Sequence, residues 1–169
     1  QAFWALYVSG GINQKFALQL LRHSNAGVRR WVVRILGNET LLSRPILSAV
    51  SGIANRETDP AVLAELIAAT TRFQWHEDDG LLHALVRSTP IDFDSGLQML
   101  LWWAISRDEF KEFDCRAIQV MTPGLPDRTR QTLGPRTARR YASDTEYIFW
   151  TVLSRMLEDE NDLGRKKLI

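Results

Sequence analysis

Residues that could bind a metal are clustered at one place in the sequence. His76 and His83 are seven residues apart, so a helix would bring both to one face, and residues 77–79 (EDD) add carboxylates beside His76. A metal site would need a third ligand, and consecutive acids are more typical of the first turn of a helix. The third histidine, His23, is expected at a helix end. We therefore predict no metal site.

Glu65 is the best single candidate for an acid with an unusual environment, because it lies in the apolar run of residues 62–69 (VLAELIAA). A carboxylate at a packing position must pair with a cation or have a raised pKa. We expect a structural pairing with an arginine of the preceding hairpin, namely Arg29, Arg30 or Arg34. A functional acid and simple exposure to solvent are the alternatives.

Other signatures of catalysis are missing from the sequence. It contains no glycine-rich phosphate loop, no Gly-x-Ser-x-Gly and no CxxCH motif for covalent haem. The single cysteine, Cys115, cannot form an internal disulfide and is interpreted as a small buried apolar residue, with a reactive thiol as the alternative. We predict no catalytic and no cofactor-binding residue.

Arginines form two clusters that could bind an anion or a protein. Arg30 and Arg34 are four residues apart and share a helix face, and residues 127–143 hold five arginines against one acid, Asp127. Ion pairs between successive repeats or a solvated surface are the alternatives. The candidate interaction surface comprises Arg29, Arg30, Arg34, Trp103, Arg136, Arg139 and Arg140.

The elements that would position these residues are predicted from a repeat. Segments that begin at Val28, Val62 and Leu97 are spaced by 34 and 35 residues and have apolar residues at i, i+4 and i+7. Each follows a helix-start signal, and amphipathic stretches lie at 12–21, 41–54 and 80–86. No stretch alternates as a strand does. We predict an all-α fold, a HEAT-like α-solenoid of stacked antiparallel helical hairpins.

The repeat array is assigned to residues 1–122, a Pro/Arg-rich connection to 123–143, and a C-terminal helix with a charged tail to 144–169. The net charge of +1 disfavours a nucleic-acid partner, and no apolar run is long enough to span a membrane. The six tryptophans are expected to be core residues facing between helices. Residues 2–8 (AFWALYV) already have the pattern of a helix interior, so we expect a piece of a longer protein.

Residues 23–37 (HSNAGVRRWVVRILG), residues 59–62 (DPAV) and residues 100–105 (LLWWAI) resemble bacterial HEAT repeats. Together they resemble the HEAT region, matching residues 1–107, of planctomycete-type membrane-bound dehydrogenases, also described as haem-binding-domain proteins. In that family a β-propeller precedes the repeats and a c-type cytochrome domain follows. The resemblance implies an exported bacterial protein, periplasmic or membrane-associated, and transfers no catalytic or haem-binding residue to this chain.

These observations predict a non-catalytic scaffold that binds a protein or a neighbouring domain of the same chain, without a cofactor. The alternative is a nucleic-acid-binding HEAT-like protein such as a DNA glycosylase, which would need a basic face with aromatic residues. A third interpretation is a small enzyme with a pocket near Glu65, Trp102 and Trp103.

Overall fold

The computed structural model describes residues 2–39, 42–72, 80–106 and 125–141, and every regular element in these ranges is an α-helix. The all-α prediction is therefore confirmed for the described part of the chain. The helices are α1 (Ala2–Val8), α2 (Gln14–Leu20), α3 (Ala26–Leu36), α4 (Arg44–Ala54), α5 (Pro60–Thr70), α6 (Gly80–Val86), α7 (Thr89–Asp92), α8 (Ser95–Ile105) and α9 (Asp127–Tyr141).

The helices pack in two rows. In one row α3 contacts α5 and α5 contacts α8, and in the other α2 contacts α4 and α4 contacts α6. Contacts of α2 with α3, of α4 with α5 and of α5 with α6 join the rows. The contacting helices of a row are two positions apart in the chain, except that α5 contacts α8 across α6 and α7. The apolar core contains buried residues from both rows.

The helices α3, α5 and α8 turn equivalent positions toward the core. Val28, Val62 and Leu97, which begin the aligned segments, are all buried or partly buried. The following equivalent positions are buried in all three helices: Val32, Leu66 and Leu101; Ile35, Ala69 and Ala104; Leu36, Thr70 and Ile105. The repeat seen in the sequence therefore corresponds to three helices with the same orientation toward their neighbours.

The same three helices begin in the same way. Asp59 Oδ1 accepts from the backbone N–H groups of Ala61 and Val62 at 3.0 and 3.1 Å. Asp94 Oδ1 makes the equivalent pair with Gly96 and Leu97 at 2.9 and 3.0 Å, and Asn25 caps α3 more loosely through Val28. Each cap satisfies donors that the first helical turn leaves free, which contributes about 1 kcal/mol per helix.

Some local features differ from the sequence prediction or add to it. The four-residue helix α7 was not predicted, because a single turn has no visible 3.6-residue period. The turn after α1 ends at Gly10, whose φ of 73° is the left-handed conformation of a helix C-terminus. The prediction that the tryptophans are core residues is wrong for Trp4, Trp31 and Trp103, which are exposed.

The segment that the sequence assigns to a connection contains α9, which packs against α7 and α8. Its Leu133 side chain is fully buried, and Leu125, just before the helix, is buried as well. The domain boundaries at 122 and 143, like the predicted C-terminal helix and tail, lie outside the described residues and stay predictions.

Candidate functional site

A bidentate ion pair joins α3 to the loop before α5. Arg29 Nε lies 2.7 Å from Glu57 Oε2, and Arg29 Nη2 lies 2.8 Å from Glu57 Oε1. Arg29 Nη1 also donates to the backbone carbonyls of His23 and Ser24 at 2.8 and 2.9 Å. The side chains are 17% exposed for Arg29 and 3% exposed for Glu57. The Arg29 guanidinium therefore makes all of these contacts within the protein.

The electrostatics of the pair favour both charged forms. Burial raises the pKa of the Glu57 carboxyl, but hydrogen bonds from Arg29 and from the N–H groups of Asp59 and Thr58, with the Arg29 charge, outweigh burial and lower the pKa. The pKa of Arg29 is raised, chiefly by its hydrogen bond to Glu57, against the opposing effect of burial. The arrangement stabilises two fixed charges and does not hold a proton ready for transfer.

One hydrogen bond of this region recurs at the equivalent position of α8. Arg29 Nη1 donates to the carbonyl of His23, and Gln98 Nε2 donates to the carbonyl of Asp92, each at 2.8 Å and each six residues back. The equivalent residue on α5 is Leu63, a fully buried side chain with no donor. The second residue of the aligned segment thus anchors the chain that precedes its helix, in α3 and again in α8.

Asp92 holds the start of α9. Its Oδ1 accepts from the backbone N–H of Thr129, in the first turn of α9, at 2.6 Å. Pro126, which precedes the helix, has no side-chain acceptor, so Asp92 supplies the cap from another element. Glu57 lies two residues before the N-cap Asp59, and Asp92 lies two residues before the N-cap Asp94. Each of these two acids fixes a neighbouring segment.

Glu65 lies among three arginines. Its Oε1 accepts from Arg72 Nη2 at 2.8 Å, while its Oε2 lies 3.8 Å from Arg30 Nε and 4.0 Å from Arg34 Nη1. The predicted pairing with the preceding hairpin holds for Arg30 and Arg34, although Arg29 pairs with Glu57 and the closest partner, Arg72, was not predicted. Three guanidiniums around one carboxylate leave an excess of positive charge.

The helices α3, α5 and α8 share a second set of equivalent positions, which are exposed in α3 and α8 but only partly exposed or buried in α5. There are three sets of equivalent residues at these positions, one residue from each helix: Trp31, Glu65 and Leu100; Arg34, Ala68 and Trp103; and Arg30, Ala64 and Met99. We call these nine residues the Trp31–Trp103 face. Trp31 is 43% exposed and Trp103 is 65% exposed, and Leu100 and Met99 are exposed as well. The Arg34 guanidinium lies 5.7 Å from the centre of the Trp31 ring.

The structure separates the residues of the predicted interaction surface. Arg30, Arg34 and Trp103 lie on the Trp31–Trp103 face, whereas Arg29 is held in its ion pair and is not available to a partner. Arg136 and Arg139 lie on α9 and donate to the carbonyls of Thr132 and Pro135 in the same helix. Arg140 belongs to the same helix, but its side chain is not among those that the structure describes. The predicted surface is thus divided between two places.

The groups that could have supported catalysis are not brought together in the described residues. His83 is exposed on α6, and His23 Nδ1 accepts from the backbone N–H of Asn25 at 3.0 Å. His76, residues 77–79 and Cys115 lie outside the described residues. Within the described ranges no group of three histidine, cysteine or acidic side chains could hold a metal ion.

A cleft of about 320 Å³ lies between α2 and α4, lined by Leu18, Leu21, Arg22, Pro45, Ser48, Ala49, Gly52 and Arg56. Its described lining contains no carboxylate and no histidine, so an acid–base pair cannot form there from these residues. The Trp31–Trp103 face is therefore the stronger candidate for function.

Comparison with family models, with curated proteins and with solved structures gave no match to this chain. None of the helices in the described ranges combines the length and the apolar composition that crossing a membrane requires.

Proposed function

We propose that this chain is a non-catalytic scaffold segment, a HEAT-like stack of helical hairpins that binds a protein partner or a neighbouring domain through the Trp31–Trp103 face. The observation that carries the proposal is the exposure of Trp103, Leu100 and Met99 together on α8. Aromatic residues, methionine and arginine are the types enriched at protein interfaces, and grouped exposed apolar residues mark interaction sites.

Three features support the stacked arrangement. Consecutive contacts link α3 to α5 and α5 to α8, equivalent positions are buried in all three helices, and each of the three helices begins with an Asn or Asp cap. A helical hairpin cannot bury its own apolar stripe, and stacking successive hairpins covers these stripes while leaving an extended surface for binding.

The larger context of the proposal rests on the sequence resemblance. Residues 23–37 and 100–105 resemble the HEAT region of planctomycete-type membrane-bound dehydrogenases, so we propose that the chain belongs to an exported bacterial multidomain protein, periplasmic or membrane-associated. Any oxidoreductase activity would belong to other domains of the parent protein. The role of this segment would be to position those domains or a separate partner.

Site-specific photocrosslinking in the source cells tests the proposal. A photoreactive residue is introduced in place of Trp103, in place of Trp31 and, as a control, in place of Lys15, an exposed residue of α2 in the other row. We expect the first two positions to give one shared product that the control lacks, with a defined protein or another domain of the parent chain. If all three positions give the same background pattern, the proposal is wrong.

A salt titration with single-stranded and duplex DNA addresses the alternative function. Exposed arginines beside Trp31 could also bind a nucleic-acid backbone and stack on a base. Submicromolar binding at low salt that weakens steeply as salt is added would favour the nucleic-acid interpretation over the scaffold.

A further inference from the structure

We infer that the occupant of the Trp31–Trp103 face is a protein segment that carries acidic residues at one end and large apolar residues at the other. The acidic end lies over the arginines of α3, and the apolar end lies over Leu100 and Trp103 of α8. This inference rests on the proposed function and adds the chemistry and the direction of the partner.

The α3 end of the face offers guanidinium groups to an external carboxylate. Arg30 and Arg34 are 49% and 52% exposed, and their contacts to Glu65 of 3.8 and 4.0 Å are too long for hydrogen bonds. Glu65 is hydrogen-bonded to Arg72 instead. The N–H groups of Arg30 and Arg34 can therefore turn outward and bind carboxylates in pairs, the geometry that guanidinium favours.

The α8 end of the same face has a different character. The residues exposed on α8 are Ser95, Gly96, Met99, Leu100 and Trp103, none of which is charged. A partner side chain there can be bound by burial of apolar area and by aromatic contact with Trp103. Charge and apolar character are thus segregated along the face, which gives a bound segment a direction.

The middle of the face, on α5, presents small side chains beside the buried Glu65. Ala61 is exposed, Ala64 and Ala68 are partly exposed, and these positions lie between the larger residues of α3 and α8. Neighbouring helices pack about 8–10 Å apart, so α3 and α8 are separated by about 16–20 Å. An extended segment advances about 3.3 Å per residue. The acidic and apolar residues of the partner should therefore be about five or six positions apart.

Charge complementarity favours this occupant over the other classes. A second copy of the same face would either oppose arginines to arginines or, turned end to end, place its arginines over the uncharged residues of α8; neither arrangement supplies a free carboxylate, since the one carboxylate of the face is already paired with Arg72. A nucleic acid would need cations along its whole path, and the exposed residues of α8 include none. An acidic segment with an apolar anchor matches both ends.

Selection from a random peptide library tests the inference without a known partner. Peptides of about 12 residues are displayed on phage, selected on the full chain and counter-selected on the double variant Arg30→Glu/Arg34→Glu. We expect the enriched peptides to carry Asp or Glu and, about five or six positions away, Leu, Phe or Trp. The best peptide is then synthesised with a fluorescent label and titrated by anisotropy.

The titration should give a defined pattern of affinities. Arg30→Glu/Arg34→Glu should weaken binding roughly tenfold, and added salt should weaken binding to the unchanged chain. Trp103→Ala should also weaken binding, whereas Lys15→Ala should leave it unchanged. A peptide whose acids are replaced by lysine should bind the Arg30→Glu/Arg34→Glu variant better than the unchanged chain. Because glutamates beside Glu65 could disturb the fold, Arg30→Gln/Arg34→Gln is measured in parallel and should also weaken the original peptide.

The outcomes separate this inference from the function it depends on. Peptides that require Trp103 but contain no acids, and bind the arginine variants equally well, would overturn the inference and leave the proposed function standing. Peptides that bind Trp31→Ala/Trp103→Ala as well as the unchanged chain would contradict both. Displacement of the peptide by an oligonucleotide, or a dimer that Trp103→Ala abolishes, would also overturn the inference.

Discussion

Arg29 and Glu57 form two hydrogen bonds, 2.7 and 2.8 Å long, between the first turn of α3 and the loop that leads into α5. The residues are 28 positions apart in the chain. Because Glu57 also accepts from the N–H groups of Thr58 and Asp59, the same carboxylate shapes the loop and links it to α3. This pair therefore fixes α3 relative to the loop that leads into α5.

We expect Glu57→Gln to destabilise the fold by about 2–4 kcal/mol, because it leaves the largely buried charge of Arg29 without its counter-ion. The free energy of unfolding would be measured by urea denaturation followed by circular dichroism. Lys15→Ala, at an exposed site, is the control and should change stability by less than about 0.5 kcal/mol. The double variant Arg29→Met/Glu57→Gln should recover part of the loss, and a strictly additive result would argue against coupling.

The contribution of Glu57 to stability should depend on pH. Its pKa is lowered in the folded protein, so below the ordinary glutamate value of about 4.3 the unfolded chain binds more protons than the folded one, and stability rises with pH. The contribution is complete above that value and is lost as pH falls through the lowered pKa. Urea denaturation from pH 7 to pH 3 should show that the difference in free energy of unfolding between the unchanged chain and Glu57→Gln becomes smaller as the pH falls. If this difference is the same at every pH, the carboxylate charge contributes nothing to stability.

The docking of α9 should depend on Asp92. Asp92→Ala removes the acceptor for the buried N–H of Thr129, which should cost about 1–3 kcal/mol. Hydrogen exchange followed by mass spectrometry should show faster exchange in α9, with α3 and α5 little affected. Asp92→Asn keeps an acceptor oxygen and should lose much less. Equal losses of protection across all helices would show instead that Asp92 supports the whole fold.

A pair of leucines tests the assignment of buried and exposed positions. Leu66 is fully buried on α5, whereas Leu100 is exposed on α8. We expect Leu66→Ala to lower the free energy of unfolding by about 2–5 kcal/mol. Leu100→Ala should cost less than about 1 kcal/mol but should weaken binding of the selected peptide. Similar losses of stability from both variants would contradict the orientation of α8.

Local rules predicted much of the helical architecture. The apolar period and the caps Asp59 and Asp94 identified α5 and α8 to within two residues of their observed starts, because a cap and the first turn interact over two or three positions. The sequence also predicted that Glu65 would need an arginine. It did not identify Arg72, the closest one, which lies beyond the end of α5.

The amino-acid order alone therefore determined where most of the described helices begin and which positions of α3, α5 and α8 repeat. The partner of Arg29 and the exposure of Trp103 were decided by the tertiary structure. An ion pair between residues 28 positions apart depends on how helices pack, which no local pattern encodes. In α8 nearly every residue from Leu97 to Ile105 is apolar, so α8 taken alone shows no polar side. Its alignment with α3 and α5 indicated that Leu97, Leu101 and Ala104 face the core, but only the packing of the neighbouring helices decided that a side chain as large and apolar as Trp103 stays outside.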